Sequence, residues 1–301
     1  MTPVLNTANS KKKSTGSIAP GTLLRILPIG ILMVVLYWQP IGQMRHIWSL
    51  AESYYSHGFL IGPVSIFLIW QKRNALRAIP VGSSPLLGYS LLVFASILLI
   101  LGAFLGFAVF GHISLLPMLG GLVLTLYGKK HFRILAFPIL FLVFMVPIPS
   151  SFTQSIALDL KLFATHLAVS LARLMTLPLI HDGSFVRFRS EFLLIGDVCG
   201  GLRSLISMLA LGALMAYIGK MRLWARYLIL ALAVPVAIAS NVSRILLLCV
   251  VGYFFGAKSA VGKVHDISGF FMFGLAFFLF YGFNSLLHRI APESSEKETT
   301  R

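Results

Sequence analysis

The chain has 301 residues, of which 57% are hydrophobic and only 11% charged, and its mean hydropathy is +0.89. That balance excludes a soluble globular protein and indicates a polytopic membrane protein. The formal charge of +16 sits in short basic clusters between apolar runs, which is the pattern of positive-inside topology rather than of a nucleic-acid surface.

Residues 1–22 read as a polar, disordered cytoplasmic tail carrying Lys11, Lys12 and Lys13. No small-x-small cleavage site follows Trp38, so the first apolar segment is expected to be a retained transmembrane helix rather than a signal peptide. Apolar runs near the ~20 residues that cross a bilayer occupy 23–39, 86–110, 113–127, 132–147, 200–218, 223–240 and 267–287. A shorter run, 57–71, ends on the aromatic and basic boundary Trp70-Gln71-Lys72-Arg73. Together these predict eight transmembrane helices.

The segment 152–178 is long enough to span but carries Ser155, Asp159, His166, Ser170 and Arg173 on one helical stripe, opposite a face of Leu, Ile, Phe and Ala. This is an amphipathic helix, lying at the interface or packed on the bundle with its polar stripe toward water. Charge decides its side. With the N-terminus inside and eight spans alternating, the clusters at Lys72-Arg73, Lys129-Lys130 and Lys220 to Arg226 all fall inside. A crossing by 152–178 would move Lys220, Arg222 and Arg226 outside, against the positive-inside rule. Both termini are therefore expected in the cytoplasm, with 290–301 a second short tail.

From 178 to 199 the texture changes. Asp182-Gly183 is a turn signal and Val186 to Arg189 alternates with period two, which predicts a short β-hairpin outside the membrane. The expected fold is thus an all-α membrane protein of about eight transmembrane helices, with an extracytoplasmic amphipathic helix and that hairpin. Residues 23–289 form one integral-membrane domain.

The hairpin leads into Gly196-Asp197-Val198-Cys199-Gly200-Gly201-Leu202-Arg203. If 200–218 is a helix, Cys199 and Arg203 lie on one face at its start, where orphan amides and the helix dipole favour an anionic sulfur. The other cysteine, Cys249, sits in an apolar run and reads as a buried small hydrophobe. In the eight-span arrangement the following span reaches Asn241-Val242-Ser243-Arg244 at its outer end, and the last one starts inward at Val264-His265-Asp266. Cys199, Arg244 and His265 are thereby expected at the same outer depth. Ionisable groups at such positions are costly and usually face a bundle interior or aqueous cavity. A thiol, an imidazole and a guanidinium together suit acyl transfer: Cys199 attacks a carbonyl, His265 shuttles the proton and Arg244 stabilises the oxyanion or thiolate. Asn241 or Asp266 would orient these groups, and Arg203 and His57 are supporting candidates. No metal-binding motif occurs and no cofactor is expected.

The blocks Cys199-Gly200-Gly201-Leu202-Arg203, Asn241-Val242-Ser243-Arg244 and His265, with Ser56-His57-Gly58 and Pro63 upstream, resemble the exosortase/archaeosortase family. Gly200 departs from the serine that commonly follows the cysteine in that family. The resemblance implies a polytopic cysteine transpeptidase with Cys199 as nucleophile, Arg244 as the family's invariant-type arginine and His265 as the third member. It also implies exported protein partners with a C-terminal sorting signal, made of a Pro-Glu-Pro-type motif, a transmembrane helix and a basic patch. Such proteins would be cleaved and passed to a surface acceptor, whose identity the resemblance leaves open. Two other functions use the same features: a thioester-forming acyltransferase for a lipid or polysaccharide, and a transporter or assembly factor whose charged residues line a pathway.

Overall fold

A computed structural model of the chain describes residues 20–50, 53–188, 191–196, 200–219, 221–261 and 263–290. The two expected tails fall almost wholly outside these residues. Among the described residues the regular elements are helices and one small sheet. In chain order the helices are α1 (Pro20–Ser49), α2 (Gly58–Gln71), α3 (Arg73–Ala78), α4 (Pro85–Leu105), α5 (Ala108–Ile113), α6 (Leu115–Leu126) and α7 (Gly128–Phe141), the last running into a 3-10 turn at Leu142–Met145. Then come α8 (Ser150–Leu174), strands β1 (Ile180–Asp182), β2 (Phe185–Phe188) and β3 (Glu191–Leu194), and helices α9 (Leu202–Ile218), α10 (Leu223–Phe255), α11 (Ala257–Val261) and α12 (Lys263–Ile290).

Among the described residues, six helical segments are long and apolar enough to cross a membrane: Leu27–Ser49, Pro85–Leu105, Ala108–Leu126, Ser150–Leu174, Leu223–Phe255 and Ile267–Leu287. Two more, Gly58–Gln71 and Leu202–Ile218, are apolar but shorter. The chain is an integral membrane protein, with large side chains such as Leu86, Trp38 and Phe104 exposed along its outer faces, as lipid-facing surfaces require.

Three apolar clusters organise the fold. The first joins α1, α2 and α4 to α7 through Tyr37, Met44, Ile61, Ala95, Leu116, Ile139 and Phe141. Within it α4 and α6 approach so closely that a Cβ on Gly88 would collide with Thr125, the small-residue contact by which membrane helices pack. The second unites α9, α12 and the first half of α10 through Met208, Ala225, Ile229, Ala233, Ala237, Ala276 and Phe280. The third involves the second half of α10: Val242, Ile245, Leu248 and Cys249 pack against Ala164, Ala168 and Ala172 of α8 and against Val186, Phe188 and Leu193 of the sheet.

The second half of α10 corrects the sequence reading, which ended this helix at Ser240. The polar break Asn241-Val242-Ser243-Arg244 contains neither Gly nor Pro, the residues that interrupt helical hydrogen bonding. The helix therefore runs on for 33 residues in all, about 50 Å at 1.5 Å per residue. A hydrocarbon core of about 30 Å leaves some 20 Å over. The first apolar run likewise extends to Ser49, through Pro28 and Pro40.

Helix α8 also differs from expectation in the face it buries. Its contact stripe is Thr153, Ala157, Lys161, Ala164, Thr165, Ala168 and Ala172. Ser155, Asp159, His166 and Arg173 are exposed as expected, but so are Phe152, Ile156, Leu158 and Phe163. Small side chains allow the close approach to α10, and the large apolar ones are left on the outside. The expected hairpin is a three-stranded antiparallel sheet in the order β1-β2-β3. Gly183, at φ +57, makes the first turn, which pairs Asp182 with Phe185. Glu191 of β3 accepts the Ala257 backbone N–H, tying the sheet to the start of α11.

Candidate active site

Arg244 lies on α10 at the junction between the second and third clusters, and the neighbouring helices meet there. Gly201 caps the start of α9 with φ +78, and a Cβ at this position would lie 2.8 Å from Asn241 Nδ2. Glycine is needed here on both counts, for the left-handed backbone and for the close approach. Asn241 is buried. Leu160, Phe163 and Ala164 of α8, Leu205 of α9 and Ala237 and Ile238 of α10 surround Gly201 and Asn241 with apolar side chains.

One turn along α10, the half-buried Arg244 turns toward α12. Its Nε donates to Ser268 Oγ at 3.4 Å, and Nη2 stands 3.4 Å from where a Cβ on Gly269 would be. Ser268 is buried and follows His265 by three residues, one turn of α12. Helices α9, α10 and α12 are thus joined at one level by the Gly201–Asn241 and Arg244–Ser268 contacts. Cys199, two residues before Gly201 in the chain, and Asp197 lie outside the described residues. His265 and Asp266 belong to α12, and their side chains likewise lie outside those described. The second cysteine, Cys249, is a free thiol, fully buried in the third cluster.

His57, in the turn before α2, reaches the same end of α9. Its Nε2 is 3.2 Å from the Phe144 carbonyl, so Nε2–H is the donor, and Nδ1 is 3.3 Å from Ser207 Oγ. Ser207 Oγ also lies 2.9 Å from the Arg203 carbonyl one turn back, and its single proton serves one of the two at a time. His57 therefore ties α2, the end of α7 and α9 together. Burial and the nearby Arg203 charge push its pKa below the usual 6.5, outweighing the hydrogen bond to Phe144 that raises it. The sign follows from linkage: the unfolded imidazole takes up a proton as pH falls below 6.5, while the folded one resists, so protonation favours unfolding. Thermal unfolding in detergent should show stability falling as the pH drops below about 6.5. His57→Gln should lose that increment of pH dependence, and an unchanged pH profile in the variant would exclude it.

The sequence pointed to Arg244, Asn241, Arg203 and His57 but not to Ser207, Ser268 or the Phe144 carbonyl. Ser207 was discoverable from its spacing, one turn beyond Arg203 on the same helix face. Serines within apolar helices are otherwise unremarked, because most bond back to their own helix. Among the described residues no group of three or more His, Cys, Asp or Glu side chains is arranged to hold a metal.

The description "transmembrane exosortase" (Exosortase_EpsH) belongs to the family model that matches residues 47–282. The chain belongs to this family. The matched region begins near the end of α1 and ends within α12, so it includes all the elements that meet around Arg244 in this exosortase. No curated protein and no solved structure matches the chain.

Proposed function

We propose that this exosortase is a membrane-embedded cysteine transpeptidase that cleaves the C-terminal sorting signals of exported proteins and transfers them to a surface acceptor. The observation that carries this reading is the meeting of α9, α10 and α12 at Gly201, Asn241, Arg244 and Ser268, because Arg244 lies on α10, His265 belongs to α12 and Cys199 precedes Gly201 by two residues in the chain. Cys199, as thiolate, adds to the scissile carbonyl carbon, and Arg244 balances the charge that develops on its oxygen. His265 takes the thiol proton and returns it to the departing amine as the carbon–nitrogen bond breaks. A thioester remains on Cys199, and an acceptor nucleophile resolves it.

The membrane arrangement proposed is eight spans formed by α1, α2, α4, the α5–α6 pair, α7, α9, α10 and α12, with both termini cytoplasmic. Helix α8 and the sheet then form an extracytoplasmic cap. Two features support this. The excess length of α10 needs a partner beyond the bilayer, and α8 and the sheet pack on that half of the helix. The alternation also keeps Arg222 and Arg226 on the same side as Lys129 and Lys130, as the positive-inside rule asks. Although α8 is long and apolar enough to cross, the α10 residues in its own cluster are the distal ones, Val242 to Cys249, and it meets the second cluster at the edge, beside Ala237.

Trapping the thioester tests the chemistry. Purified enzyme incubated with a substrate protein and quenched at low pH should carry a peptide adduct on Cys199, identified by mass spectrometry. A lipid acyl adduct at the same sulfur would favour an acyltransferase. Processing with no adduct at Cys199 would count against both.

A further inference from the structure

A cavity of about 800 Å³ lies beside the candidate active site, between the end of α1, α5, the segment 147–150 and α8. Its size is in the range of small-ligand sites, and its wall is mostly apolar, including Ile47, Phe107, Val109 and Ile148. Ser53, Tyr54, Ser150, Thr153 and Gln154 add polar groups to it, and two buried side chains in the wall can carry charge. Lys161 lines it from the buried stripe of α8, and a buried lysine in an apolar helix is a functional candidate because its desolvation is costly. His112, which is 1% exposed, lines it from α5. With His112 Nε2 paired to Gln43 Oε1 at 3.2 Å, Nδ1 is buried with no hydrogen-bond partner among the described residues. Since the amide oxygen accepts, Nε2 carries the proton and Nδ1 is left as an acceptor.

We propose that this cavity binds an extended peptide segment bearing a carboxylate, with Lys161 taking the carboxylate and His112 Nδ1 accepting a backbone N–H. Resting on the transpeptidase reading, it makes Lys161 a specificity-determining residue for the segment around the scissile bond. The pairing of a cationic donor with a neutral acceptor favours a peptide. A phosphodiester by itself offers oxygen acceptors for Lys161 but no donor for Nδ1, so a lipid fills both only when its head group also carries a hydroxyl or an amine. A peptide with an acidic side chain presents a carboxylate and, along its whole backbone, N–H donors. An ammonium has three donors and can serve several acceptors, so the proposal requires the charge of Lys161 and not a vacancy beside it. The cavity also leads to the right place. Tyr55 lines it and stands with its ring 6.1 Å from that of His57. On α8, Ala157 and Lys161 face the cavity while Leu160 and Ala164 face Gly201 and Asn241.

The test uses full-length protein in detergent carrying Cys199→Ala, so that binding is read without turnover. A fluorescein-labelled Ala-Val-Pro-Glu-Pro-Ala peptide is compared, by anisotropy, with the same peptide carrying Gln in place of Glu. Lys161→Gln should weaken the Glu peptide by about tenfold, leave the Gln peptide within about twofold, and so abolish the preference between them. Lys161→Arg should keep the preference. His112→Phe should weaken both peptides alike, by about threefold to tenfold. Equal loss of both peptides in Lys161→Gln, or no loss, overturns the proposal. So does competitive displacement of both peptides by phosphatidylglycerol that depends on Lys161, which would mark a lipid site. Cleavage by the Cys199-containing enzyme is measured separately. Turnover without the Glu preference refutes this inference alone, and Lys161-dependent binding without turnover refutes the transpeptidase reading alone.

Discussion

Cys199→Ala leaves a sorting-signal substrate uncleaved, with processing reduced by about 10³-fold or more, while the protein still inserts and folds. The size of the effect follows from covalent catalysis: without the sulfur no thioester forms, and transition-state stabilisation by the remaining groups has nothing to act on. Cys199→Ser is expected to recover little of the activity, because a hydroxyl is a far weaker acid than a thiol and a helix N-terminus shifts it too little to ionise. Cys249 supplies the control. It is fully buried among Val242, Ile245 and Leu248, so Cys249→Ala should cost some thermal stability through the volume it vacates and leave processing at the unmodified level. The measurement is an immunoblot of precursor and mature forms of a reporter ending in a Pro-Glu-Pro-type motif, an apolar span and a basic patch. Protease resistance of the membrane-inserted variants checks folding. Full processing by Cys199→Ala would remove the thiol from the mechanism.

How much of this was legible in the sequence depends on which forces act at each place. Membrane segments announce themselves because apolar residues must face lipid, and the runs at 86–110 and 113–127 locate α4 and α6, although the first continues past Leu105 into α5. The end of α10 did not, because hydropathy falls at Asn241 to Arg244 while the helical hydrogen bonding continues to Phe255. Helix α8 misled in another way. Its most apolar face suggests a packing face, yet beside a membrane large side chains lose little by facing lipid, and the alanines decide where helices touch. In the candidate site, Arg244 stood out because a guanidinium in an apolar stretch is costly. Gly201 could be seen only as a glycine, since its positive φ and its contact with Asn241 depend on two helices meeting. Lys161 and His112 carried no signal of their own. Their significance comes from the cavity between α5 and α8, two helices that are far apart in the chain.

Replacing Arg244 separates its expected chemical role from the structural one its contacts suggest. If its guanidinium balances charge on the tetrahedral intermediate, Arg244→Ala should lower kcat by about 10²–10³ with little change in KM, the pattern of an interaction made mainly in the transition state. Arg244→Lys keeps the charge but not the planar fork of donors, and should recover only about tenfold of that loss. The same side chain also links α10 to α12 through Ser268, at the long distance of 3.4 Å. That link predicts a different pattern. If holding α10 to α12 through Ser268 were its whole role, Ser268→Ala would reproduce the loss of activity, and the fall in thermal stability would track the fall in kcat across all three variants. On the catalytic reading, Ser268→Ala changes kcat by less than about threefold, because losing one long neutral acceptor costs little, and Arg244→Lys stays folded while remaining impaired. Steady-state kinetics and thermal unfolding on the same detergent preparations distinguish the two. A Ser268→Ala variant as inactive as Arg244→Ala would assign Arg244 to the architecture of the site and leave the oxyanion to another donor, with Arg203 the next to examine.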